Sequence, residues 1–238
     1  MSTLSLNNKV ILVTGASGGL GRAAALALAK AGATTILLAR KIPRLENVYD
    51  EIVAQGGPTP ALYPLDLAGA SETDYAEMVE RVIASLGGLH GIFHGAAELG
   101  ALRPFRDVES GIWQRLIHVN LTAPVFLTQA FLPALQASGE GRIIFVDDTA
   151  TGEGKAFWGA YGVAKAGLRS FAQSLDAEMS GFGIRTSCYA PGPIRSPIRL
   201  LAYPGERPDL LDLPETRGDE LVRLFASTLS NNPTTSDR

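Results

Sequence analysis

The feature that most constrains this chain is a short β-branched run that breaks into glycines and resumes as an alanine-rich helix. Residues 9–14 (KVILVT) end in an apolar stretch without polar alternation, the pattern of a strand buried on both faces. Residues 21–31 place alanine and leucine at helical spacing and stop at Gly32. A strand covered on both faces needs a layer above it and another below. The same unit recurs along the chain. Strands are expected at 34–39, 61–65, 89–94, 141–146 and 184–190, and helices at 45–55, 73–86, 110–137 and 156–180. Pro124 and Pro133 are expected to bend or break the helix at 110–137, because proline removes a helical hydrogen bond. Strand–helix alternation with short connections predicts an α/β fold: one doubly wound parallel sheet of about six strands in a single domain spanning 1–238. After Pro197 the strand signal stops. Residues 218–228 read as one more helix and 230–238 as a polar, disordered tail.

Composition narrows the function classes. A 238-residue chain with 46% hydrophobic and 19% charged residues has enough apolar content for one well-buried core. A net charge of −3 gives no reason to expect a nucleic-acid partner. No basic segment followed by a long apolar stretch opens the chain, and no apolar run is read as spanning a membrane. The single cysteine, Cys188, sits in an apolar run and reads as a packed thiol in a reducing compartment, the cytoplasm. His90, His94 and His118 have no cysteine partners at ligand spacing, so no metal site is expected.

Chemistry concentrates at the first turn. Thr14, Gly15, Ser17, Gly19, Leu20 and Gly21 lie between the first strand and the first helix. Glycines there let the backbone approach a pyrophosphate, and the helix N-terminus offers free N–H groups and a positive dipole end. This predicts a nucleotide site, although the spacing departs from the commoner G-x-G-x-x-G fingerprint. A carboxylate after the second strand would favour NAD(H) by bonding a ribose hydroxyl. The chain has Arg40 and Lys41 instead, which suit the 2′-phosphate of NADP(H), with Arg22 as a third cation; a solvated basic edge is the alternative. Asp66 either accepts from an adenine amino group or caps its own loop.

Tyr161 and Lys165 stand four apart on the helix at 156–180, about 6 Å along one face. They are either an amphipathic surface pair or an acid/base centre, in which the ammonium lowers the phenol's pKa from about 10.

Taken together, these motifs resemble the short-chain dehydrogenase/reductase family, with its single-domain Rossmann fold, over residues 8–197. The TG-x3-G-x-G turn is matched by Thr14, Gly15, Gly19 and Gly21, and Tyr-x3-Lys by Tyr161 and Lys165. The family's helix asparagine is matched by Asn120, and its Pro-Gly stretch by Pro191 and Gly192. Trp158-Gly159-Ala160-Tyr161 is also similar to a bacterial subgroup of largely uncharacterised oxidoreductases.

The resemblance implies an NADP-dependent oxidoreductase interconverting a small carbonyl and an alcohol. In it, Tyr161 exchanges a proton with the substrate oxygen and Lys165 holds the nicotinamide ribose. Asn120 carries a relay water, and Ile194 and Ser196 meet the carboxamide. Asp66, Leu67, Gly95 and Ala96 are further cofactor contacts. Residues 198–214 would form a substrate lid, with Ile198, Leu200, Leu201, Tyr203, Leu210 and Leu211 as an apolar cover. Arg195, Arg199 and Arg207 are either part of that lid or solvated surface.

Three departures accompany the resemblance. The family's catalytic serine falls thirteen residues before the tyrosine, where this chain has Asp148. An ionised carboxylate only accepts hydrogen bonds and would raise the phenol's pKa. Asp148 is then a protonated donor, or is replaced in its role by Thr149, or marks a weakened site. In that last case the chain is a nucleotide-binding sensor or partner protein. An ionised Asp148 taking the alcohol proton is a further route to unfamiliar chemistry. The family's Asn-Ala-Gly after the fourth strand is Gly95-Ala96-Ala97 here, and His94 either faces the cleft or is structural. No apolar run supplies the usual seventh strand. A homodimer built on the helices at 110–137 and 156–180 is therefore expected in place of a tetramer.

Overall fold

The computed structural model describes residues 4–152 and 154–226. Six strands form one parallel sheet: β1 (Val10–Thr14), β2 (Thr34–Ala39), β3 (Ala61–Pro64), β4 (Gly91–His94), β5 (Arg142–Val146) and β6 (Arg185–Tyr189). Their spatial order is β3-β2-β1-β4-β5-β6. The order reverses at β1, so the crevice outside the carboxyl ends of β1 and β4 is the topological switch point, where such sheets bind ligands.

Helices cover both faces. On one side lie α1 (Gly19–Lys30), α2 (Ile42–Ala54) and α8 (Gly218–Ala226). On the other lie α3 (Glu72–Leu86), α5 (Ala123–Ala137) and α6 (Gly159–Met179). The alternation of strand side chains sets this division. Ile11, Val13, Leu37 and Phe93 pack into the first layer, and Leu12, Ile36, Leu38 and Ile92 into the second. This is why the four inner strands, β2, β1, β4 and β5, read as apolar runs.

Helix boundaries differ modestly from expectation. α1 begins two residues earlier, inside the glycine turn, and α2 begins at Ile42, because Pro43 suits a first helical turn. α3 carries a capping box between Ser71 and Asp74. The helix from 110 is neither broken nor regular. α4 (Ser110–Ile117) passes through a π-turn (His118–Thr122) directly into α5. Pro124 follows that turn and offers no N–H to the carbonyl of Asn120, so the register shift replaces a break.

The uninterrupted helix Ser110–Ala137 is also long and apolar enough to cross a membrane by length and composition, which corrects the expectation that no such segment exists. Leu127, Phe131 and Leu135 on it are fully buried against the sheet, as in a core helix.

Beyond β6 the chain forms α7 (Pro197–Ala202), N-capped by Ser196, and then 3-10 turns before α8. Among the described residues no seventh strand follows, and β6 is an edge. The expected tail at 230–238 lies outside the described residues, as do the last two positions of the helix expected at 218–228.

Candidate active site

A cleft of ≈ 450 Å³ opens at the switch point. Its floor is the turn between β1 and α1. Gly15 has φ +70°, and a Cβ there would lie 2.8 Å from the Ala96 nitrogen. Gly21 is closed against the same turn, since a Cβ would sit 2.3 Å from the Gly15 carbonyl oxygen. Gly18, the residue preceding α1, has open space where a side chain would be. No side chain caps this helix, and its first turn holds no acidic residue. An uncapped N-terminus facing an open glycine cradle fits a pyrophosphate. Thr14 does not line the cleft. It is buried, and its hydroxyl accepts from the Ala96 N–H at 3.1 Å, tying the ends of β1 and β4 together.

Gly15, Ser17, Gly19, Leu20, Arg40, Lys41, Asp66, Leu67, Gly95 and Ala96 reach this cleft from one side. Asp148, Tyr161, Lys165, Pro191, Gly192, Ile194 and Ser196 reach it from the other. Arg22 does not contribute. Its guanidinium is bound by Glu51 and Glu215, which corrects its expected role as third cation. Arg44 lines the cleft instead, one helical turn beyond Lys41, and the basic run Arg40-Lys41-Ile42-Pro43-Arg44 already carried that signal. Asp66 caps its own loop, one carboxylate oxygen accepting from the Ala68 N–H at 3.1 Å, and the residue also borders the cleft.

The β4 end explains the family departure. A Cβ at Gly95 would stand 2.9 Å from the Thr14 carbonyl oxygen and 2.8 Å from the Phe93 ring, so no asparagine fits there. His94 turns away from the cleft. It is buried, stacks on Phe145 at 4.6 Å and bonds the Thr128 hydroxyl at 2.8 Å through Nε2. Burial, with Lys165 adding to it, pushes its pKa down to about 3, so it is a neutral core residue.

Asn120 is buried and also lies off the cleft. Its Nδ2 donates to the Glu98 and Leu116 carbonyls at 2.8 Å each, and its Oδ1 accepts from the Glu98 N–H at 3.0 Å. The amide is therefore spent on pinning the loop after β4 to the π-turn, and both of its donors are occupied.

Tyr161 and Lys165 are no surface pair: both are about 97% buried. The Lys165 ammonium donates to the Val146 carbonyl at 2.6 Å and lies 5.5 Å from the centre of the Tyr161 ring. Desolvation lowers its pKa to about 8, against the pull of Asp147 and Asp148. The Tyr161 hydroxyl donates to Asp148 Oδ2 at 3.3 Å. Burial first, then the Asp148 charge and hydrogen bond, raise the phenol's pKa. The expectation that Lys165 lowers it is overturned: burial, the largest cause, and the Asp148 carboxylate both push it up.

Asp148 stands at the head of a short 3-10 turn, where Oδ1 accepts from the Ala150 N–H at 2.9 Å. Thr149 borders the cleft but leaves that cap position, and the place beside the tyrosine, to Asp148. Asp147 is held in an ion pair with Arg169 at 2.8 Å.

Trp158 and Leu99, which sequence reasoning did not place at the site, lie over the phenol with two residues of the expected lid. Trp158, one helical turn before Tyr161, packs with Tyr161 and Leu99, and Tyr203 and Ile198 cover them. Arg199 stacks on Tyr203 at 3.9 Å and is held by both oxygens of Glu206 at 2.6 Å. The segment expected to cover the substrate therefore contributes an aromatic wall and a neutralised arginine, not a purely apolar surface.

Comparison with known proteins is consistent with this geometry. Residues 9–204 match the short chain dehydrogenase family. The chain is 36% identical over 209 residues to the uncharacterised oxidoreductase YciK of Escherichia coli K12, covering 88% of this chain and 82% of that protein. It is 33% identical to a cyclohexanol dehydrogenase of an Acinetobacter species, covering 81% and 75%. A proposed short chain dehydrogenase of Shigella flexneri, solved in complex with NADP, superposes with a TM-score of 0.90 at 33% identity, covering 94% of this chain and 93% of the other.

Proposed function

The chain belongs to the short-chain dehydrogenase family, and from that premise we propose an NADP-dependent oxidoreductase that interconverts a small carbonyl and its alcohol. The carrying observation is that the Tyr161 phenol, backed by Lys165, opens into the same cleft as the glycine cradle of β1 and α1. The NADP complex of the Shigella protein supports the choice of cofactor, and the cyclohexanol dehydrogenase supports the substrate class.

The turn at Gly15–Gly21 and the start of α1 would hold the pyrophosphate. Arg40, Lys41 and Arg44 would hold the 2′-phosphate; none of them is paired with a carboxylate among the described residues. Asp66 and Leu67 would border the adenine, Lys165 the nicotinamide ribose, and Ile194 and Ser196 the carboxamide. When bound, the nicotinamide supplies or accepts the hydride. Tyr161 is kept protonated by burial and by Asp148, which is the form that donates to a substrate oxygen gaining negative charge. α7 and the residues to 214 act as the cover over that oxygen, with Trp158 and Tyr203 excluding water.

The second reading is a nucleotide-binding protein of weak turnover. It is favoured by the bond that already commits the Tyr161 hydroxyl to Asp148.

NADPH titration and NADPH-linked turnover across a carbonyl panel separate the two. Tyr161→Phe should keep cofactor binding and lower carbonyl reduction roughly 10²–10⁴-fold, the usual weight of a general acid. Removing Arg40 and Arg44 together should weaken NADPH at least about tenfold and leave NADH unchanged, as lost charge-assisted bonds to one phosphate require. Tight NADPH binding with no turnover in any direction would support the second reading.

We also propose a homodimer through α4–α5 and α6. Val163, Ala166, Ser170, Gln173 and Ala177 form one exposed stripe along α6, mostly of small side chains that admit a close helix neighbour.

A further inference from the structure

We propose that the preferred substrate of this cleft is a protonated imine, with its N–H donated to the Asp148 carboxylate, rather than a neutral ketone. The inference rests on the cleft serving hydride transfer from a reduced nicotinamide dinucleotide.

Asp148 forms no direct ion pair among the described residues, although its charge is felt by Lys165 and Arg199. It accepts from the Ala150 N–H and from the Tyr161 hydroxyl. A carboxylate has about four acceptor sites, so two bonds leave it unsatisfied on the cleft side. The cations around it are engaged elsewhere. Arg169 is bound by Asp147 and Arg199 by Glu206. Lys165 points its ammonium at the Val146 carbonyl, and Lys155 donates to the Tyr203 hydroxyl at 2.9 Å.

A ketone oxygen only accepts hydrogen bonds and would meet this carboxylate lone pair to lone pair. An iminium N–H donates, and its charge is opposite.

The chemistry balances without a proton from Tyr161. Hydride adds to the imine carbon and forms a C–H bond. The C=N π pair moves onto nitrogen as a lone pair, and the N–H stays in place. The iminium becomes a neutral amine, and the reduced nicotinamide is oxidised. The Tyr161 hydroxyl remains on Asp148 throughout and positions its carboxylate. Ketone reduction, by contrast, must pull a proton from a phenol whose pKa burial and two carboxylates have raised.

The test compares wild type with Asp148→Asn and Asp148→Ser, both of which keep an oxygen able to cap Ala150 and so preserve the turn. Calorimetric titration with cyclohexylamine, protonated at neutral pH, and with cyclohexanol reads charge recognition without cofactor. Wild type should bind the ammonium at least about tenfold more tightly than the alcohol, and both variants should lose that preference. With NADPH, wild type should reduce 3,4-dihydroisoquinoline in preference to cyclohexanone. Asp148→Ser should lower the first rate and raise the second, each by about tenfold or more. Equal binding in wild type, a preference that survives both substitutions, or wild-type turnover of cyclohexanone but not of the imine would overturn the proposal. NADPH titration of the same samples reports on the cofactor reading alone, so a failure there is distinguishable.

Discussion

His94 shows how a single residue's meaning depends on which way its strand faces. It ends β4 beside the cleft yet packs into the layer of Phe145 and Thr128, where its Nδ1 has no hydrogen-bond partner among the described residues. Its folded pKa, about 3, lies below the ordinary 6.5. The unfolded chain therefore takes up a proton near 6.5 while the folded chain stays neutral, and stability falls as pH drops from 6.5 toward 3. Replacing His94 with Gln should remove this component. Between pH 6.5 and 5, wild type should lose about 2 kcal/mol more than the variant in urea unfolding. The motif residues were legible at this scale because glycine, tyrosine and lysine were needed at fixed spacing. The sequence does not say which of Arg22 and Arg44 faces the cleft, although Arg44 extends the basic run at 40–44. Only the fold brings Glu51 and Glu215 onto the first and leaves the second facing the cleft.

At the level of elements, close approach decides where the site sits. α1 can dock on the β1 turn because Gly21 offers no Cβ to the Gly15 carbonyl, 2.3 Å from where one would stand. Gly21→Ala should shift α1 away from the turn, cost about 1–3 kcal/mol as an overpacked contact does, and weaken NADPH binding. Denaturant midpoints and cofactor titration check the two effects separately, and unchanged NADPH affinity would remove the turn from the site. The element order was readable because parallel strands buried on both faces must be apolar throughout. The course of the helix at 110–137 was not. Proline announces a lost hydrogen bond, but whether the helix breaks, kinks or slips into a π-turn depends on what holds the neighbouring carbonyls. Here Asn120 anchors the slipped segment to the loop carrying Glu98.

At the scale of the molecule, the β6 edge, unpaired among the described residues, and the exposed stripe on α6 leave two surfaces that neighbours could cover. The proposed dimer uses the helical one. Ala166→Arg would place a bulky charge in the middle of that stripe and should convert the dimer to a monomer by light scattering. NADPH binding should persist, since Ala166 does not line the cleft. A wild-type monomer would discard this surface as an interface.

The sequence by itself determined the doubly wound sheet, the switch-point cleft and the residue types at its floor. Each of these follows from local patterning: period, turn chemistry and the need for missing side chains. What only the tertiary structure decided was the electrostatic character of the site. Tyr161 sits four residues from Lys165 on one helix, yet its hydroxyl answers to Asp148, which arrives from another strand end. A pKa is set by desolvation and by the nearest charge in space, and neither is a property of spacing along the chain.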